Sequence, residues 1–174
     1  MPRSRATIAC ARGGPGEGAH QLRPRRGAGD APAEAEARLL AVIGPIEEAR
    51  WHHLPAPDVW SIGKDVEHVI GATIYHQWIV RTTIGQKVGS RRPPIERKQM
   101  KSTMTPAEAV EQIRLRTNDG VRLIDDLTDE QLDLVTRPPR AQNQRLAETI
   151  EHVLIGHYDG HRGEIKAKLE AADE

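Results

Sequence analysis

From Glu34 onward the apolar residues of this chain recur at helical spacing. In AEAEARLLAVIGPIEEARWHHL, Leu39, Leu40, Ile43 and Ile46 follow one another so that they share a helix face. Gly44-Pro45 predicts a kink or local break, because proline lacks the backbone donor and clashes with the turn before it. The two prolines of LPAPDVW exclude a continuing helix. Ser61 then offers an N-cap for a second helix, SIGKDVEHVIGATIYHQWIVRTTIGQK, to about Lys87. The basic, proline-containing stretch VGSRRPPIERKQMKS reads as a loop. Thr105-Pro106-Ala107-Glu108 is a strong start signal: Thr caps, Pro takes the first helical position and Glu closes a capping box. That third helix runs to about Asp126, and Thr128-Asp129-Glu130-Gln131 repeats the signal for a short helical turn. TRPPRAQN is a loop, after which Gln142 or Asn143 can start the last helix, through His161 to about Glu170. No segment shows sustained period-two alternation between hairpin turns. The pattern predicts an all-α fold, a four-helix bundle with a long loop between the second and third helices.

Composition sharpens this picture in three places. Phe is absent and aromatics are 3% of the chain, so the core must be built from Leu, Ile, Val and Ala. Residues 1–31 are rich in Gly, Arg, Ala and Pro without an apolar period. They are expected to be a disordered tail, either a partner for anions or a dispensable extension, with the folded domain at 32–174. Charge divides the same way. Residues 1–30 hold six Arg against Glu17 and Asp30, a net of +4, which leaves the remainder at −4 in a chain of net charge zero. A folded part of that sign argues against a large nucleic-acid-binding face.

The one cysteine, Cys10, lies in the tail. No disulfide can form within the chain, and the folded part has no thiol nucleophile. No apolar run reaches the roughly 18 residues of a membrane span, and the apolar core of a secretory signal is missing. The expectation is a cytoplasmic protein without a membrane partner.

Candidate chemistry concentrates in HVLIGHYDGHRGE, which holds His152, His157 and His161. On a wheel of about 100° per residue starting at Leu146, Ile150, Val153, Leu154 and Ile165 form a compact apolar face. His157 and His161 fall inside it, one turn apart, and His152 falls on the opposite face. Two imidazoles entering an apolar interior at this spacing can reach one metal ion, or can each be hydrogen-bonded within the core. A third ligand must come from another helix. The second helix offers His68 and His76, eight residues apart, and periodicity does not choose between them. His52 and His53, at the end of the first helix, are weaker candidates.

The combination of VWSIGKDVEHVI with HVLIGHYDGHRGEI, about ninety residues later, resembles the DinB-like superfamily. Its members share a Trp-Ser opening of the second helix, with a His eight residues after the Trp, and an H-x-x-x-H-R-G-Q-like ending on the fourth. Trp60 and His68 match the first part, and His157, His161, Arg162 and Gly163 match the second. The resemblance spans about residues 34–172. It implies a bundle that holds a divalent metal through His68, His157 and His161, and so prefers His68 to His76. The usual Gln after Arg-Gly is Glu164 here. Glu164 can be an acceptor behind a ligand, a further ligand, or an ordinary helix-end acid. Arg162 can pair with an acid, and Gly163 can permit close helix approach.

Three neutral imidazoles leave an ion such as Zn²⁺ or Ni²⁺ with open positions, the pattern of catalytic sites. Relatives that resemble this chain include mycothiol-dependent maleylpyruvate isomerase-like proteins and bacillithiol transferases, which use a low-molecular-weight thiol. The resemblance therefore implies a divalent-metal-dependent enzyme, a thiol-dependent S-transferase or isomerase or else a hydrolase, acting on a small molecule and pairing as a homodimer. The alternatives are a non-catalytic metal-binding or stress-related dimeric bundle, and a metal-free bundle with packed histidines. Tyr75, Arg81 and the basic loop at Arg91, Arg92, Arg97 and Lys98 can line a cleft or be solvated charge. Trp60 and Trp78 read as packing anchors.

Overall fold

The computed structural model describes residues 30–89, 99–136 and 143–172. The expected disordered tail therefore lies outside the described residues, apart from its last two positions, which are already helical. So do the basic residues 91, 92, 97 and 98 and most of the TRPPRAQN loop. The elements are α1 (Asp30–Ile43), α2 (Glu48–Trp51), α3 (Ile62–Thr83), α4 (Pro106–Asp125), α5 (Asp129–Leu132), β1 (Val135–Thr136), β2 (Gln144–Arg145), α6 (Leu146–Glu148), a π-helical segment (Thr149–Ile155) and α7 (Gly156–Ala171). The last three form one continuous helical rod.

Local chemistry sets most of these boundaries. The Ser61 side chain accepts from the Lys64 N–H and starts α3. Thr105 and Glu108 close a reciprocal capping box with Pro106 in the first turn of α4, and Thr128 and Gln131 do the same for α5. Gly44-Pro45 ends α1, as its sequence requires. Two boundaries differ from the sequence reading. α1 begins at Asp30 rather than Glu34. α3 stops at Thr83 rather than about Lys87, because Gly85 takes a φ of 76°. The Gln86 N–H then reaches back to the Arg81 carbonyl and the Gly85 N–H to the Thr82 carbonyl, a Schellman closure that only a left-handed residue permits.

The last helix also starts later than Gln142 or Asn143. Gln144 and Arg145 instead pair antiparallel with Thr136 and Val135. Two-residue strands are too short to show any alternation in sequence.

The four long helices make a four-helix bundle. α1 packs on α4 and α7, and α3 packs on the same two, so the ring order is α1, α4, α3, α7. The first two long helices thus face each other across a diagonal. One apolar cluster joins Leu39 and Ile43 of α1, Val66 and Val69 of α3, Ile113 of α4 and Ile165 of α7, with Trp51 beneath them. Another joins Val80, Leu123, Ile124, Leu146, Ile150 and Leu154. Each such fully buried aliphatic side chain contributes about 1.5–3 kcal/mol relative to exposure.

A polar link crosses the bundle. The Tyr158 hydroxyl lies 3.2 Å from the hydroxyls of both Thr73 and Thr117. Thr117 in turn hydrogen-bonds the Glu36 carboxyl, whose pKa burial raises against the opposing pull of that bond and of Arg114. Each long helix supplies one member. No helix among the described residues is long and apolar enough to cross a membrane.

Candidate metal centre

Two neighbouring helices, α3 and α7, bring the histidines together. His68 lies in the second turn of α3, and Ser61 fixes where that helix begins. His157 and His161 lie one turn apart in the first half of α7. The ring centroids are 5.3 Å apart for His68 and His157, 5.1 Å for His68 and His161, and 4.5 Å for His157 and His161. One nitrogen from each ring lies within 4.8 Å of the other two, close enough for a small contraction to close around one ion. All three residues are half-buried, and the His161 side chain is 15% exposed. The centre is thus held by the bundle while remaining within reach of solvent. The Trp60 ring lies 5.3 Å from that of His68 and backs it from the loop side.

The electrostatics favour ligating imidazoles. Burial pushes the His157 pKa down to about 3, with the neighbouring rings of His161, His76 and His68 adding to the effect. A neutral ring is the form that binds a metal. The Nε2 atom of His157 is sealed from solvent and has no hydrogen-bond partner among the described residues. A buried nitrogen in that condition fits a ligand-to-ion role.

Behind the rings stand two carboxylates. Glu164 Oε2 lies 2.7 Å from Nδ1 of His161, an ion-pair distance without the alignment of a formed hydrogen bond. Asp65, buried and one turn before His68, joins His161 and Glu164 in a second compact group of donor atoms. Asp65 is paired with Lys168, whose ammonium also donates to the Trp60 carbonyl at 2.9 Å. Burial raises the Asp65 pKa, opposed by Lys168 and by His161. Sequence reasoning missed this pair. Asp65 shares a face with His68, but its partner is 103 residues away.

The remaining candidates separate cleanly. His152 is exposed, His53 is exposed, and His52 ends the short helix α2; none joins the cluster. His76 is buried and meets only His157 among the three, edge to face at 5.5 Å. Burial, then the longer-range charge of His68, lowers its pKa to about 4. Arg162 lies 3.3 Å from Asp159, which is also held bidentately by Arg38 of α1. The expectation that Gly163 permits a close helix approach fails, since a Cβ built there meets nothing within 4 Å. Arg81 donates to Gln86 near the end of α3, about 20 Å along the axis from His68. Tyr75 is buried, stacked on Trp78 and tilted against His76.

Comparison with known proteins agrees with this architecture. The family model of the DinB superfamily matches residues 33–165. YfiT from Bacillus subtilis, described as a probable metal-dependent hydrolase with an unusual four-helix bundle topology, superposes with a TM-score of 0.71 at 14% identity, over 92% of this chain and 95% of that one. An uncharacterised protein from Clostridium difficile 630 superposes with a TM-score of 0.64 at 12% identity, over 82% of this chain and 93% of that one. At these identities the likeness is one of fold. No curated protein matches the sequence.

Proposed function

The chain belongs to the DinB superfamily, and from that premise we propose that it is a divalent-metal-dependent enzyme whose ligands are His68, His157 and His161. The observation that carries this reading is the convergence of three half-buried imidazoles from α3 and α7. Zn²⁺ and Ni²⁺ both suit an all-imidazole set. An ion held this way supplies Lewis acidity, polarising a substrate oxygen or lowering the pKa of a coordinated water or thiol.

The chain's own residues do the rest. α3 and α7 fix the three rings in mutual register, and Trp60 limits the freedom of His68. Glu164 is placed to accept from His161 Nδ1, which would direct the opposite nitrogen toward the centre. Hydrolysis is the reaction class we favour, supported by the description of YfiT. Group transfer to an external low-molecular-weight thiol is the second reading; with no cysteine after Cys10, the thiol in it would come from outside the folded part.

Elemental analysis of protein purified without a histidine tag, beside the His161→Ala variant, tests the proposal. One Zn or Ni per chain, lost in the variant, is the expected result and leads to a screen of hydrolysable substrates and thiols. A chain that takes up no divalent ion even on reconstitution refutes it.

A further inference from the structure

His76 lies outside the three-histidine group, yet it is buried in the bundle, at 7% exposure. It sits two turns beyond His68 on α3, about 12 Å along the axis, and its ring meets that of His157 edge to face at 5.5 Å and 86°. Its Nδ1 is sealed from solvent and has no hydrogen-bond partner among the described residues. A phenyl ring or a leucine would fill the same space without burying a polar atom that goes unpaired. Ring packing alone therefore gives no reason for histidine at this position. Its other ring contact is Tyr75, tilted against it at 5.6 Å, so of its two ring neighbours one belongs to the histidine cluster.

We propose that His76 is a binding residue for the small molecule handled at this centre, its imidazole hydrogen-bonding that molecule's polar atom beside His157. The inference rests on the three-histidine reading and adds a fourth side chain to it, one that touches the bound molecule and leaves the ion to the other three. The molecule it fits is small and carries a hydrogen-bonding atom next to the one that meets the ion.

Azide titration of the cobalt-loaded protein, followed through the visible d–d bands, separates the possibilities. His76→Phe should retain one Co²⁺ per chain and bind azide about tenfold more weakly, the loss expected for one hydrogen bond. His76→Gln, which restores an amide donor and acceptor, should recover part of that loss and guards against a Phe variant that folds poorly. Unchanged azide affinity in both variants would leave His76 a packing residue and overturn the proposal. Loss of Co²⁺ from both would make it a ligand and overturn it equally. A wild-type chain that binds no Co²⁺ would remove the three-histidine reading itself, and this proposal with it.

Discussion

Nδ1 of His161 lies 2.7 Å from Oε2 of Glu164, one helical turn further along α7. A modest turn of the ring would make this a carboxylate–histidine pair of the kind that stands behind metal ligands. Glu164→Ala should weaken metal binding about 10–100-fold. Glu164→Gln keeps an acceptor without the charge and should weaken it less. Competition with a chromophoric chelator measures both, and equal affinity across all three proteins would reduce Glu164 to an exposed helix-end acid.

The proposed ligand set predicts a sharp asymmetry among the histidines. Alanine at His68, His157 or His161 should abolish stoichiometric divalent-metal binding, whereas His152→Ala should leave it intact, because His152 is exposed and joins no donor group. Isothermal titration of each variant decides the matter. Equal effects at all four positions would undo the geometric argument.

Asp65 and Lys168 tie the start of α3 to the far end of α7. Lys168→Met strands the Asp65 carboxylate, whose side chain is 4% exposed, and should cost about 3–5 kcal/mol in urea unfolding. The double variant Asp65→Leu with Lys168→Met should recover most of that loss, since no uncompensated charge remains. A single variant as stable as the parent would show that the pair is open to water.

Metal-stripped protein should be acid-sensitive. His76 and His157 remain neutral in the fold down to about pH 4 and 3, whereas the unfolded chain protonates its histidines near 6.5. Between those values the unfolded state binds more protons. The stability is fully present above pH 6.5 and declines as pH falls, by up to about 1.4 kcal/mol per unit for each ring. Denaturation midpoints from pH 7.5 to 4.5 should show this slope, and His76→Phe should flatten it. A flat wild-type profile would mean the rings are solvated.

Three glycines give opposite expectations. A Cβ at Gly160 or Gly163 meets nothing within 4 Å, so alanine at either should stabilise by about 0.5–1 kcal/mol through the lower entropy of the unfolded chain. At Gly63 the same atom would sit 2.7 Å from Cδ1 and Cε2 of the buried Trp51 indole, and alanine there should destabilise. Thermal melts of the three variants read out the signs.

How much of this was legible in the sequence follows from range. Ser61, Thr105 and Thr128 announce their helices because a cap acts over three residues, and Gly44-Pro45 stops α1 for an equally local reason. The pairing of His157 with His161 was visible because one turn of helix separates them. The choice of His68 over His76 was not, since it depends on where α3 and α7 cross, and only the family resemblance pointed to it. Asp65 with Lys168, and the Glu36, Thr117, Tyr158 and Thr73 link, join residues from different helices and leave no periodic trace. The wheel also assumed one regular α-helix for the last rod, and the rod is not α-helical throughout.

That departure lies in Thr149–Ile155, where the backbone bonds one residue further than an α-helix does. A rigid shaft passes every rotation along its length, and a residue gained or lost anywhere turns all that lies beyond by about 100°. The π-helical segment is slack in that shaft. Upstream of it the rod is indexed by Leu146, locked into one apolar cluster; downstream it is indexed by Tyr158 and Ile165, locked into the other. The wider coil absorbs the mismatch between these two registers. Removing one residue from this stretch would let it tighten to an α-helix with both ends still in register. A further residue inserted there would exceed that slack, and either Leu146 would leave its cluster or His157 and His161 would swing away from α3.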